Sequence, residues 1–100
     1  MTQDDDALIE VVDNRAAHRF EARRGNHVAG FVMYRTESDV LVLVHTEVND
    51  AFRGLGVATR LATEVLDDAR RRGIKIVPLC PFIASFIERH PAYADLVAPD

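Results

Sequence analysis

Residues 40–80 constrain the fold more than any other part of the chain, because the hydrophobic period changes twice within one stretch. The segment Val40 to Val48 is β-branched and apolar enough to be a strand. Counting by twos puts Val40, Val42, Val44, Thr46 and Val48 on one face and Leu41, Leu43, His45 and Glu47 on the other. Both faces begin apolar, as in a central strand covered on two sides, and one turns polar where His45 and Glu47 stand side by side. Asn49-Asp50-Ala51-Phe52-Arg53-Gly54 breaks the strand, and a helix begins near Leu55 or Gly56. Its buried stripe is Val57, Leu61, Val65 and Ala69, flanked by Ala58, Ala62 and Leu66. The helix runs to Arg72, stops at Gly73 and feeds a second strand over residues 74–80. A strand, helix and strand of this length predict a right-handed crossover between parallel strands.

The residues before this unit predict an antiparallel meander. Residues 7–12 read as a strand, Asn14-Arg15-Ala16-Ala17 as a turn and residues 18–23 as a weakly alternating strand. Gly25-Asn26 is a two-residue hairpin signal, residues 28–35 are its partner strand, and Thr36-Glu37-Ser38-Asp39 is a further break. After the crossover, Pro81 opens a short helix over residues 82–89 that Pro91 ends. The expectation is an α/β fold, a mixed sheet in one domain over residues 7–98, behind a polar, acidic and flexible segment 1–6. With 48% apolar and 28% charged residues, the chain needs neither metal nor disulfide to explain its folding. A formal charge of −4 argues against a general nucleic-acid binder, and Arg70-Arg71-Arg72 stands one turn beyond Asp67 and Asp68, where ion pairs form on a helix surface. One cysteine makes no internal disulfide, and no apolar run is long enough for a signal peptide or a membrane span, so the cytoplasm is the expected compartment.

The chemistry concentrates between the strand and the long helix. A helix start leaves backbone N–H groups unpaired and carries the positive end of the macrodipole, so it attracts anions. Gly54 and Gly56 let a diphosphate approach that backbone. Two glycines also suit a plain tight turn. There is no Gly-Lys-Ser/Thr ending for a P-loop and no third glycine for a dinucleotide fingerprint.

The whole string is more specific. Val48-x4-Arg53-x2-Gly56-x-Ala58, between a strand and a long amphipathic helix, resembles motif A of the GNAT superfamily of acetyl-CoA-dependent N-acetyltransferases. Continuing through residues 74–80 and Ile87-Glu88-Arg89-His90-Pro91-Ala92-Tyr93, the chain is similar to short GNAT-like proteins of unassigned substrate. The resemblance implies acetyl-CoA as cosubstrate, with its pyrophosphate on Arg53, Gly54, Leu55, Gly56, Val57 and Ala58 and its pantetheine arm along Glu47 and Val48. It also implies that the two parallel strands splay into a V. Longer members carry helices between their first two strands that help form the acceptor site, whereas this chain has only the turn at residues 14–17.

Acetylation of an amine needs a proton acceptor and help for the departing thiolate. Glu47, at the mouth of the implied V, is the candidate general base, with a solvent-facing strand-end Glu as the plain alternative. His45 could relay a proton or simply pack. Cys80, before a helix start, could be a nucleophile giving an acetyl-enzyme, or a buried filler. Tyr93 could stand in for a general acid, although it lies beyond Pro91. No group of His, Cys, Asp and Glu has metal-site spacing, so no metal is expected. Two function classes stay open here: an enzyme moving acetyl from acetyl-CoA to an amine, and a non-catalytic acyl-CoA-binding or protein-interaction module.

Overall fold

The computed structural model describes residues 9–99. The segment 1–6 and the first two residues of the expected first strand lie outside the described residues. Five strands form one sheet in chain order: β1 (Ile9–Asn14), β2 (Arg19–Arg24), β3 (His27–Glu37), β4 (Val40–Val48) and β5 (Lys75–Pro78). The first four pair antiparallel, and β4 pairs parallel with β5. Helix α1 (Val57–Arg72) makes the crossover, and α2 (Pro81–Arg89) leads into a 3-10 turn over Pro91–Leu96.

Local chemistry explains the breaks. Asn14 caps the turn after β1, its side chain accepting from the Ala17 N–H at 3.2 Å. Gly25, at φ 61, makes the hairpin between β2 and β3. Ser38 takes the left-handed φ of 55, which closes a two-residue turn and lets Thr36 and Glu37 pair with Leu41 and Val40. The break expected over residues 36–39 is therefore only its second half. At the other end of the sheet, the N–H of Leu79 bonds back to the Val77 carbonyl at 3.1 Å and turns the chain out of β5. This strand is accordingly shorter than the expected 74–80.

A β-bulge overturns the simple alternation expected for β4. Met33 pairs with His45 and Tyr34 with Leu43, so Val44 is the extra residue without a partner. Before it, Leu41 and Leu43 share a face with Tyr34; after it, Thr46 and Val48 take over that face, beside Val32 and Gly30. His45 and Glu47 are thereby moved to the face of Val42, Met33 and Phe31, opposite Leu41 and Leu43.

One hydrophobic core joins Phe20, Val32, Leu41, Leu43 and Ile76 of the sheet to Leu61, Val65 and Leu66 of α1 and Ile83, Phe86 and Ile87 of α2. Each such side chain, fully buried, contributes about 1.5–3 kcal/mol. The expected stripe of α1 is buried except at Ala58, which is half-buried. Val42 is buried without joining that cluster, because it points the other way. Both helices thus lie on one face of the sheet. Among the described residues the opposite face, with Glu21, Phe31, Met33, His45 and Glu47, has no helix over it.

Candidate active site

The turn from β4 into α1 is built in two steps. Asn49 first caps a 3-10 turn over Asp50–Phe52, its side chain accepting from the Ala51 N–H at 2.9 Å. Phe52 packs against the core, and Arg53 pairs with Asp50. Gly54 and Gly56 then adopt φ 84 and 75, and a Cβ added to either would meet nothing within 4 Å. Backbone conformation, not crowding by neighbours, demands glycine there. Gly56 caps α1 without a side-chain hydrogen bond, and no acidic residue stands in the first turn. The first-turn N–H groups are left for an outside acceptor. A cavity of about 220 Å³ opens over this turn, lined by Val48, Arg53, Gly54, Gly56, Val57 and Ala58 among others. Val48 and five of the six residues expected to hold the pyrophosphate therefore line one cavity. Leu55 is absent from its lining and is 48% exposed on the same turn.

Beside the turn the sheet is notched. Pairing of β4 with β5 ends at Leu43 and Pro78, and one further bond runs from the Cys80 N–H to the Leu43 carbonyl at 3.0 Å. From there β4 continues through residues 44–48 with no strand on that side among the described residues. Cys80 caps α2 at the far wall of the notch, 3% exposed, with its Sγ 3.2 Å from Thr46 Oγ1. Gly30 sets how closely the pieces approach: a Cβ there would lie 2.8 Å from the Glu47 carbonyl oxygen and 3.0 Å from the Val57 side chain.

The open face carries the polar groups. His45 Nε2 and Glu47 Oε1 are 3.1 Å apart, and both side chains are exposed. The bulge separates this pair from Cys80, because Thr46, which touches the sulfur, and Glu47 point to opposite faces. A cleft of about 440 Å³ lies along the open face, lined by Arg19, Gly30, Phe31, Glu47, Asn49 and Asp50 among others. Its floor is Phe31, with the Arg19 guanidinium 4.5 Å above the ring centroid. Behind Arg19 sits Glu21, 2% exposed, held by Arg19, Arg23 and Asn14. Burial pushes the Glu21 carboxyl up, but these hydrogen bonds and the charge of Arg19 outweigh it and hold the group at about 2. This cluster lies outside the site residues expected from the sequence. Its signal is the alternation Arg19, Glu21, Arg23, which a period of two places on one face.

Tyr93 stands elsewhere. Its hydroxyl donates to Asp67 Oδ1 at 2.9 Å, and that bond together with burial raises its pKa. Asp67 is on the order of 15 Å along α1 from Gly56, at 1.5 Å per residue. The expected helix-surface pairs form at Arg71 and Arg72 with Asp68, while Arg70 reaches Asp95. Among the described residues no metal-binding cluster is present, and no helix is long and apolar enough to cross a membrane.

A profile of the GCN5-related N-acetyl-transferase family matches residues 19–96. Protein NATD1 of Xenopus tropicalis is 32% identical over 92 residues, covering 90% of this chain and 84% of that protein. Protein NATD1 of Homo sapiens is 33% identical over 85 residues, covering 83% and 75% respectively. Among solved structures, a GCN5-like protein from Staphylococcus aureus, studied by NMR in solution, shares the fold with a TM-score of 0.67. It is 23% identical, and the match covers 92% of this chain and 90% of that one.

Proposed function

This chain belongs to the GCN5-related N-acetyltransferase family, and from that premise we propose that it moves an acetyl group from acetyl-CoA to an amine. The observation that carries the proposal is the junction at Val48, where a strand edge that is unpaired among the described residues meets a glycine turn and a helix start without a side-chain cap. The pyrophosphate rests on the backbone from Arg53 to Ala58, each hydrogen bond to a charged acceptor contributing about 1.5–3 kcal/mol. Residues 44–48 offer the pantetheine arm the backbone groups that β5 leaves unused.

In the reaction the amine nitrogen attacks the thioester carbonyl, a C–N bond forms, the C–S bond breaks, and the thiolate leaves. Glu47 takes the proton that the nitrogen releases, and His45 at 3.1 Å orients its carboxylate. Direct transfer is favoured over an acetyl-enzyme, because Cys80 is buried on the side of β4 opposite Glu47. The exposed sheet face gives the acceptor its approach.

An NMR titration with acetyl-CoA, followed by assays of thioester loss against polyamines, peptides and small amines, tests the proposal. Expected are amide shifts concentrated in residues 53–58 and turnover of at least one amine class. Binding without turnover would replace the enzyme with an acyl-CoA-binding module. Absence of binding would remove both.

A further inference from the structure

A carboxylate buried beneath two arginines is an unusual thing to find on a sheet face that, among the described residues, no helix covers. Glu21 accepts from Arg19 Nε at 2.6 Å and Asn14 Nδ2 at 3.0 Å on one oxygen, and from Arg23 Nε and Nη2 at 2.9 and 2.6 Å on the other. A carboxylate has about four acceptor positions, so Glu21 is saturated. Among the described residues Arg19 gives it only Nε, and the terminal nitrogens of the guanidinium must find acceptors elsewhere. The trio Arg19, Glu21 and Arg23 carries a net charge of +1, and with its carboxyl held at about 2, Glu21 stays ionised across the physiological range.

This fixed cation lines the same cleft as Glu47 and Asp50. Arg19 leans from β2 over Phe31 of β3, and Phe31 pairs directly with Glu47 of β4. The positive and negative walls rise from the two strands that flank β3 and are thus about two strand spacings apart at their backbones, on the order of 10 Å, with the Phe31 ring on the strand between them. We infer that the acceptor is a zwitterion: a short amino acid whose carboxylate binds Arg19 while its amine faces Glu47 over the Phe31 ring. This deepens, and rests on, the acetyl-transfer reading. A carboxylate is preferred to a doubly charged group because its single charge matches the net charge of the trio. Glu21 and Arg23 are positioning residues, which hold the guanidinium over the ring.

Matched acceptor pairs test the inference: glycine against methylamine, and β-alanine against ethylamine, with acetyl-CoA binding measured separately by calorimetry. In the wild type the carboxylate-bearing partner should have a kcat/KM higher by about 10-fold or more, the weight of one charge-assisted bond. Arg19→Gln should remove that preference by raising KM for the amino acid, with acetyl-CoA affinity unchanged. Arg19→Lys should keep part of the preference, since it retains the charge without the planar fork. Equal turnover of the paired acceptors, or a preference that survives Arg19→Gln, would overturn the inference and leave acetyl transfer to amines standing. Acetyl-CoA binding with no turnover of any amine would overturn both. Should Arg19→Gln not fold by circular dichroism, the wild-type pairs and Arg19→Lys decide.

Discussion

Replacing Glu21 with Gln changes one buried oxygen to an amide nitrogen and little else in volume, so it isolates the charge. Two hydrogen bonds from Arg23 and two from Arg19 and Asn14 lose an ionised acceptor, and one arginine is left facing an N–H donor. Breaking a fully buried ion pair costs about 3–5 kcal/mol. Arg19 and Arg23 are partly exposed and can turn to water, which puts this case at the lower end. Linkage gives a similar figure: a carboxyl at about 2 in the folded chain against an ordinary 4.5 favours folding by about 3 kcal/mol when ionised. Because the folded value is the lower one, this stabilisation is complete above the ordinary value and is lost as pH falls from about 5 towards 2. Urea unfolding of wild type and Glu21→Gln at pH 7, 4, 3 and 2 should therefore show a gap of about 3 kcal/mol at pH 7 that closes towards pH 2. Other carboxylates titrate in both proteins and cancel in the difference. A gap below about 1 kcal/mol at pH 7, the size of an ordinary exposed pair, or one that stays constant down to pH 2, would refute the reasoning.

Three further outcomes are expected. Gly56→Val should weaken coenzyme A binding by about 10-fold or more in calorimetry, since a β-branched residue at φ 75 is strained by about 1–2 kcal/mol and fills the space over the turn; unchanged affinity in a folded variant would remove the site. Gly30→Ala should destabilise by about 1–3 kcal/mol in urea unfolding, because its Cβ meets backbone at 2.8 Å, and a neutral result would show that β4 and α1 can separate freely there. Glu47→Gln should lower turnover by about 10²–10⁴-fold with acetyl-CoA affinity kept, while intact-mass spectrometry of wild type with acetyl-CoA alone should show no adduct on Cys80. A prompt adduct that an amine discharges would favour the covalent route.

The elements whose signals are local were legible in the sequence. The α1 stripe, its glycine stop, the Gly25-Asn26 hairpin and the bounds of β4 follow from period and turn chemistry. The side of β4 on which each residue falls was not legible beyond Val44. A bulge is a property of two strands together, and nothing in residues 40–48 marks which one is unpaired. The likeness to a known motif located the glycine turn, and the structure gathers most of it around one cavity. Glu21 escaped because a Glu between two Arg on a weakly alternating strand looks like a solvated surface. Its burial depends on Asn14 arriving from β1. The 3-10 turn over Pro91–Leu96 was missed for a related reason, as the bonds of Tyr93 to Asp67 and Arg70 to Asp95 that hold it reach back across more than twenty residues.

The notch along residues 44–48 also bears on self-association. Unpaired strand edges invite other chains to add a strand, which is how sheet proteins aggregate, and an outermost strand usually needs charges or proline to prevent it. Here the free edge lies inside the sheet, with α2 starting at its far wall and Thr46 and Cys80 in contact across it. A second polypeptide would have to break that contact and displace the helix start to enter, whereas a thin flexible chain without bulky side groups need not. The notch thus keeps hydrogen-bonding capacity open in mid-sheet without offering a second copy an easy strand edge there.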